Sequence, residues 1–240
     1  MVGVGLSSLL TNVVRIILHL IKPDYITEAL VFFGISTMFG AFCTVLSYKF
    51  IESSDTGCRP EIDNSQFTFK KIWLRIWEVY CKNGIMALSI LVTFTIQYTF
   101  YPGVMLSSSL EPTFFTDFSW FVITLVTYHS FWDTVGRYLA GIFNILPKKV
   151  FLWACLSRII FVVFYMLMHD GKDPSLWASN WFIIVNLTLF SFTCGYLSTL
   201  GMNYGSDETT LNQSLAGSIM GFHLTFGICL GSAIALICLS

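Results

Sequence analysis

The chain has 240 residues, of which 55% are hydrophobic and 11% charged, with a net charge of −1 and a mean hydropathy of +0.72. Soluble domains carry about 25% charged residues, so the composition excludes an ordinary soluble domain and indicates an all-α polytopic membrane protein in contact with a lipid bilayer. The near-zero net charge argues against nucleic acid as a partner.

A helix needs about 20 apolar residues to cross the hydrocarbon core. On that rule about seven transmembrane helices are expected, roughly over 4–21, 28–48, 84–106, 118–144, 150–168, 180–200 and 215–239. The runs are rich in Phe, Leu and Ile and lack the alternation of a barrel strand. The first run has no basic stretch before it and further spans after it, so it does not read as a cleaved signal peptide.

Between the second and third spans, ESSDTGCRPEIDNS (52–65) reads as a flexible linker. Beyond it, Phe69, Ile72, Trp73, Ile76, Trp77 and Tyr80 share one helical face, while Lys71, Arg75, Glu78 and Lys82 share another. This pattern predicts an amphipathic helix lying in the inner interface, with a partner-docking helix as the alternative. The expected organisation is thus two helices over 1–50, a cytoplasmic loop with an interfacial helix over 51–83, and a five-helix bundle over 84–240.

Tyr101-Pro102-Gly103 stands near the end of the third span, where proline either kinks the helix or marks its exit. The fourth span holds Asp133, the one acidic side chain in the middle of a long apolar run, with Arg137 four residues on. Each charge costs about 2.5–3.5 kcal/mol in hydrocarbon. The i, i+4 spacing stacks the two on one helix face, where they neutralise each other. The couple is either a structural ion pair that fixes packing or part of a polar substrate site. His129, Asp133 and Arg137 form one stripe, flanked by Ser130 and Thr134. Such a stripe suits a neutral, hydroxyl-rich solute, because the carboxylate accepts from vicinal hydroxyls and the guanidinium donates to oxygen. His129 is either proton-responsive or bonded to a neighbouring helix.

Arg158 in the fifth span is expected to snorkel to the cytoplasmic surface or to pair with Asp207 or Glu208. Asn186-Leu187-Thr188 is a glycosylation sequon on paper, but it lies inside a span. In the last span Gly217 with Gly221, and Gly227 with Gly231, are spaced for close helix approach. The seven cysteines lack metal-ligand or redox spacing and read as small core residues. No hydrolase, metalloprotease or paired-carboxylate motif appears, so neither an enzyme, a cofactor nor a metal site is expected.

Orientation follows from basic residues in the connections. With Met1 in the cytoplasm, the inner connections hold Lys49, Arg59, Lys70, Lys71, Arg75, Lys82, Lys148 and Lys149, against Lys22 and Lys172 outside. The amino terminus is therefore expected inside and the carboxyl terminus outside.

Several segments resemble the equilibrative nucleoside transporter family. YPGV (101–104) resembles the aromatic-Pro-x-Val ending of that family's seventh helix, and FWDTVGR (131–137) its eighth-helix Asp-x-x-Gly-Arg motif. Arg158 in LSRIIFV (156–162), CGYLSTLGM (194–202) and AGSIMGFHLTFGICLGS (216–232) resemble helices nine, ten and eleven in order. Residues 3–50 resemble helices five and six less specifically.

The resemblance implies part of a major-facilitator-like six-plus-five helix bundle that carries nucleosides, with nucleobases as an alternative cargo, by equilibrative alternating access in the plasma membrane. It implies that Asp133 and Arg137 hold ribose hydroxyls and that Tyr101 stands near an outer gate. Ser130 occupies a position where some members carry a larger polar residue, and His129 departs from the usual apolar one. The family's first four helices have no counterpart here, so a carboxyl-terminal portion is expected. The alternatives are a non-transporting fragment or associating subunit and, from another class, a seven-helix receptor, which the charge count and the missing receptor motifs oppose. Nothing in the sequence fixes an oligomeric state.

Overall fold

A computed structural model describes residues 2–21, 25–54, 69–101, 118–169, 180–207 and 213–239. Among these, the apolar runs all become helices, because only a helix satisfies every backbone group within one segment in a lipid environment. In chain order they are α1 (Val2–Ile21), α2 (Tyr25–Ser54), α3 (Phe69–Thr99), α4 (Phe118–Ile142), a short 3₁₀ turn (Lys148–Val150), α5 (Phe151–Ser157), α6 (Ile159–His169), α7 (Asn180–Asp207) and α8 (Gln213–Leu239). No strand occurs among the described residues. The linker at 52–65 lies largely outside them, as do Pro102 and Gly103.

The chain forms two compact units, Leu10–Leu74 and a larger one of Met1–Leu9 with Arg75–Ser240. In the smaller unit, α2 keeps Phe33, Met38, Phe42 and Phe50 exposed. That surface is suited to hydrocarbon. Stretches Gly3–Ile21, Ala29–Phe50, Trp73–Thr99, Trp181–Ser206 and Gln213–Cys238 are each long and apolar enough to cross a membrane. Helix α4 has the length but carries the charged stripe. The expected span over 150–168 is instead divided between α5 and α6 at Arg158.

Within the larger unit α7 lies deepest. Its Leu187, Phe190, Leu197, Leu200 and Tyr204 are buried along one side or another of the helix. One apolar cluster joins Ala87, Ile90 and Phe94 of α3 to Phe151 and Cys155 of α5, Leu197 and Leu200 of α7 and Met220 of α8. A second joins Ile96, Phe100 and Tyr101 to Leu125 of α4 and to Ile183, Leu187 and Phe190 of α7.

Helix–helix distance is set by glycine. A Cβ on Gly195 would lie 2.0 Å from the Asp133 carbonyl oxygen, and one on Gly136 would lie 2.3 Å from that of Phe192. The α4 and α7 backbones therefore touch directly, as small residues allow in membrane bundles. Gly227 and Gly231 of α8 abut Leu91 O and Thr95 O of α3 in the same way, with 2.8 and 2.6 Å to an added Cβ. Gly217 and Gly221, the other pair expected at an interface, have nothing within 4 Å.

Two further expectations are corrected. The amphipathic segment is not a separate helix. It is continuous with the third span in α3, a helix of 31 residues, because Gly84 alone does not break a helix. The segment is also tied to its neighbours: Val79 and Asn83 are buried, Asn83 Nδ2 donates to Gly205 O at 2.8 Å, and Tyr80 packs on His223. Trp73 and Trp77 remain exposed. Of the cysteines, Cys155 and Cys194 are buried, whereas Cys43, Cys81, Cys229 and Cys238 are exposed. A thiol is apolar enough to face lipid as readily as a core.

The glycine contacts give a test of this packing. Gly195→Ala should push α4 from α7 and lower stability by about 1–3 kcal/mol, the usual cost of overpacking. Gly217→Ala meets open space and should be neutral or slightly stabilising through helix propensity. Thermal unfolding of the detergent-solubilised variants would compare the two.

Candidate functional site

Helix α4 presents the expected stripe to a cavity of about 310 Å³ inside the larger unit. Val126, His129, Ser130, Asp133 and Arg137 come from α4, Phe94, Gln97, Tyr98 and Tyr101 from the α3 side, Val4 and Ser8 from α1, and Cys194 from α7. The size falls at the lower end of the range for small-molecule pockets. Aromatic and apolar walls with few convergent polar groups are the usual character of such sites.

Asp133 and Arg137 are 8% and 6% exposed, so neither reaches bulk water. Arg137 Nε donates to Asp133 Oδ2 at 2.7 Å, and Nη2 approaches Oδ1 at 3.4 Å. This is the one-turn pairing anticipated from spacing. A carboxylate offers about four lone-pair sites and a guanidinium five N–H groups, so the couple retains acceptor and donor capacity beyond its mutual bonds. The α7 backbone at Gly195 closes over the Asp133 turn, which excludes water from that side.

Ser130 is also buried. Its hydroxyl donates to Val126 O at 3.0 Å and accepts from Ser8 Oγ at 3.0 Å, so its known bonds join α1 to α4. Tyr101 follows the regular part of α3, in a wider π-type turn. Its ring stacks on His129, with centroids 3.9 Å apart and planes within 8°. The structure thus brings all five expected residues to one cavity.

Arg158 is a correction. It neither snorkels nor reaches the surface, being 1% exposed. Nη1 donates to Thr93 O at 2.9 Å, while Nη2 donates to Gln97 Oε1 at 2.8 Å and to Phe190 O at 3.2 Å. The guanidinium also lies 4.7 Å from the Phe190 ring centre, a cation–π distance. The Asp207 side chain and Glu208, its other expected partners, lie outside the described residues. The helix breaks at this residue: Arg158 N bonds back to Cys155 O and Phe161 N to Arg158 O, the tighter spacing of a 3₁₀ turn.

The residue that sequence reasoning missed is Gln97. Its Nε2 lies 2.7 Å from His129 Nε2, so it links Arg158 to the cavity wall. The signal was present: Ser89, Thr93, Gln97 and Tyr101 recur every four residues, and all are buried. Hydroxyls on one helix face of an apolar span also occur as simple back-bonders, as Ser89 and Thr93 do here, which hides the amide among them.

Comparison with known proteins decides the family. Residues 49–239 match the family described as "Nucleoside transporter". The chain belongs to the nucleoside transporter family. Among relatives, it is 27% identical over 186 residues to "Equilibrative nucleoside transporter 1" of Rattus norvegicus, a match covering 72% of this chain and 38% of that protein. It is 28% identical over 183 residues to "Equilibrative nucleoside transporter 4" of Homo sapiens, covering 74% and 33%. It is 23% identical over 162 residues to "Equilibrative nucleotide transporter 1" of Arabidopsis thaliana, covering 67% and 35%. The matched stretch therefore spans a third to two-fifths of these relatives. Membership of a transporter family makes this an integral membrane protein, sets aside the receptor reading, and agrees with the expectation that the chain is not an enzyme.

The Arg158 cluster should be a strong structural anchor. Lysine is a point donor without the guanidinium fork, so Arg158→Lys leaves buried oxygens under-satisfied at about 1–3 kcal/mol each. We expect its thermal midpoint in detergent to fall well below that of Lys149→Ala, which alters an exposed residue.

Proposed function

We propose that this protein takes part in equilibrative passage of nucleosides across the plasma membrane by alternating access, with nucleobases as a secondary cargo. The observation that carries the reading is the buried Asp133–Arg137 couple on the wall of a cavity of about 310 Å³. A nucleoside is a neutral solute with vicinal ribose hydroxyls. Two opposite charges meet such a solute with acceptors and donors together while adding no net charge, so they select neither cation nor anion. Family membership supports the same cargo. In this reading Asp133 accepts from the ribose hydroxyls, Arg137 donates to them, and Tyr101 borders the outer end of the path. The amino terminus is cytoplasmic and the carboxyl terminus extracellular, in keeping with the eight-to-two distribution of basic residues in the connections.

The test is uptake of labelled adenosine and uridine into proteoliposomes and cells. Asp133→Ala and Arg137→Ala should each reduce uptake to background while the protein still reaches the membrane. Unchanged uptake in both would remove the site from this reading. The same liposomes address the second reading, a non-transporting subunit: the purified chain alone would then bind lipid but give no nucleoside flux. A tag at Met1 should label only after cells are permeabilised.

A further inference from the structure

Arg158, Gln97 and His129 form a chain of hydrogen bonds whose polarity is fixed from one end. Arginine only donates. Gln97 must therefore turn its oxygen to Arg158, as the 2.8 Å Nη2–Oε1 bond shows. Its amide nitrogen, which only donates, is then the atom facing His129 at 2.7 Å. His129 Nε2 must accept that bond, so the ring carries its proton on Nδ1. A second constraint sets the ring plane. Tyr101 covers one face at 3.9 Å and 8°, which fixes the plane of the imidazole. No other hydrogen bond to this ring is found among the described residues, and the ring lines the cavity.

We propose that His129 Nδ1–H is a specificity-determining hydrogen-bond donor to an acceptor on the nucleobase, a ring nitrogen or a carbonyl oxygen, and that Gln97 and Arg158 are positioning residues that set its tautomer. The assignment rests on the reading of Asp133 and Arg137 as the ribose clamp. His129 is four residues from Asp133, about 6 Å along α4, which suits the offset between a sugar held at the charge couple and the base attached to it. Site-built donors of this kind discriminate sharply, because an analogue without the matching acceptor leaves a buried N–H unpaired. Helix α4 thus carries both halves of recognition, the sugar at one turn and the base at the next. The couple reads what all nucleosides share, and His129 reads the part in which they differ.

The experiment uses the whole chain in lipid nanodiscs. Binding is measured for adenosine and its 1-, 3- and 7-deaza analogues, and for uridine with its 2-thio and 4-thio forms. His129→Phe keeps a ring against Tyr101 but removes the donor. It should weaken the parent nucleosides about five- to tenfold, the worth of one such bond. One analogue of each base should show the same loss on the unaltered protein and no further loss on His129→Phe. Nitrogen-15 imidazole spectra, assigned by the signal lost in His129→Phe, should show the Nδ1–H tautomer. Gln97→Leu should shift that signal toward the Nε2–H form, which a purely structural role for Gln97 would not require. Nucleoside binding that is the same in His129→Phe, or an Nε2–H tautomer in the unaltered protein, overturns this assignment and leaves the ribose clamp standing. Absence of any nucleoside binding by the unaltered chain overturns the functional reading, and this assignment with it.

Discussion

The architecture of the larger unit depends on neutralising charge where water cannot. Asp133 and Arg137 sit on consecutive turns of α4 at 2.7 Å. Separated, each would oppose burial by about 2.5–3.5 kcal/mol, and α4 could not occupy the interior. Paired, they let the helix press its polar face inward and bring its backbone against α7 at Gly136 and Gly195. That contact in turn shields the pair. Side-chain electrostatics and backbone packing are therefore one arrangement: loss of either glycine opens the pair to solvent or lipid, and loss of either charge strands the other.

The same interior holds a second guanidinium by a different principle. Arg137 is balanced by a carboxylate. Arg158 is held by two carbonyl oxygens, an amide oxygen and an aromatic face. Oxygen dipoles from α3 and α7 solvate the cation as water would. The arrangement orders three segments at once, because α3, α7 and the α5–α6 junction must all be in place for both Nη groups to be bonded. It also fixes Gln97 in one sense, so that a structural anchor reaches the cavity wall.

Much of this was legible in the sequence. Long apolar runs gave the helices, and the spacing of His129, Asp133 and Arg137 gave the inward face of α4. The motif order from Tyr101 to Gly231 pointed to the family that the comparison then established. Local pattern was less informative wherever the outcome depended on a distant partner. Arg158 looked like a residue able to snorkel, because nothing nearby announces that Thr93, Gln97 and Phe190 will converge on it from 65, 61 and 32 residues away. Gly136 and Gly195 carried no spacing signature, yet they make a closer approach than the glycine pairs that did. Gly217 and Gly221 had the signature and no neighbour. Spacing marks which helix faces can approach, and only the assembled bundle selects those that do. The join between the amphipathic segment and the third span was obscured by a change of polarity, which alters the environment of a helix without interrupting its hydrogen bonds.

The interruption at Arg158 has a mechanical corollary. At about 1.5 Å per residue, the 7 residues of α5 and the 11 of α6 make rods of roughly 10 and 16 Å, each shorter than the roughly 30 Å hydrocarbon layer. Neither is long enough to cross alone, and the two pieces meet at a single turn where the regular i to i−4 ladder is interrupted. Interruptions of this ladder are where helices kink, and here the turn is fastened from the side by its own guanidinium. The weakest turn of this stretch is thereby the one most firmly moored to its neighbours, α3 and α7.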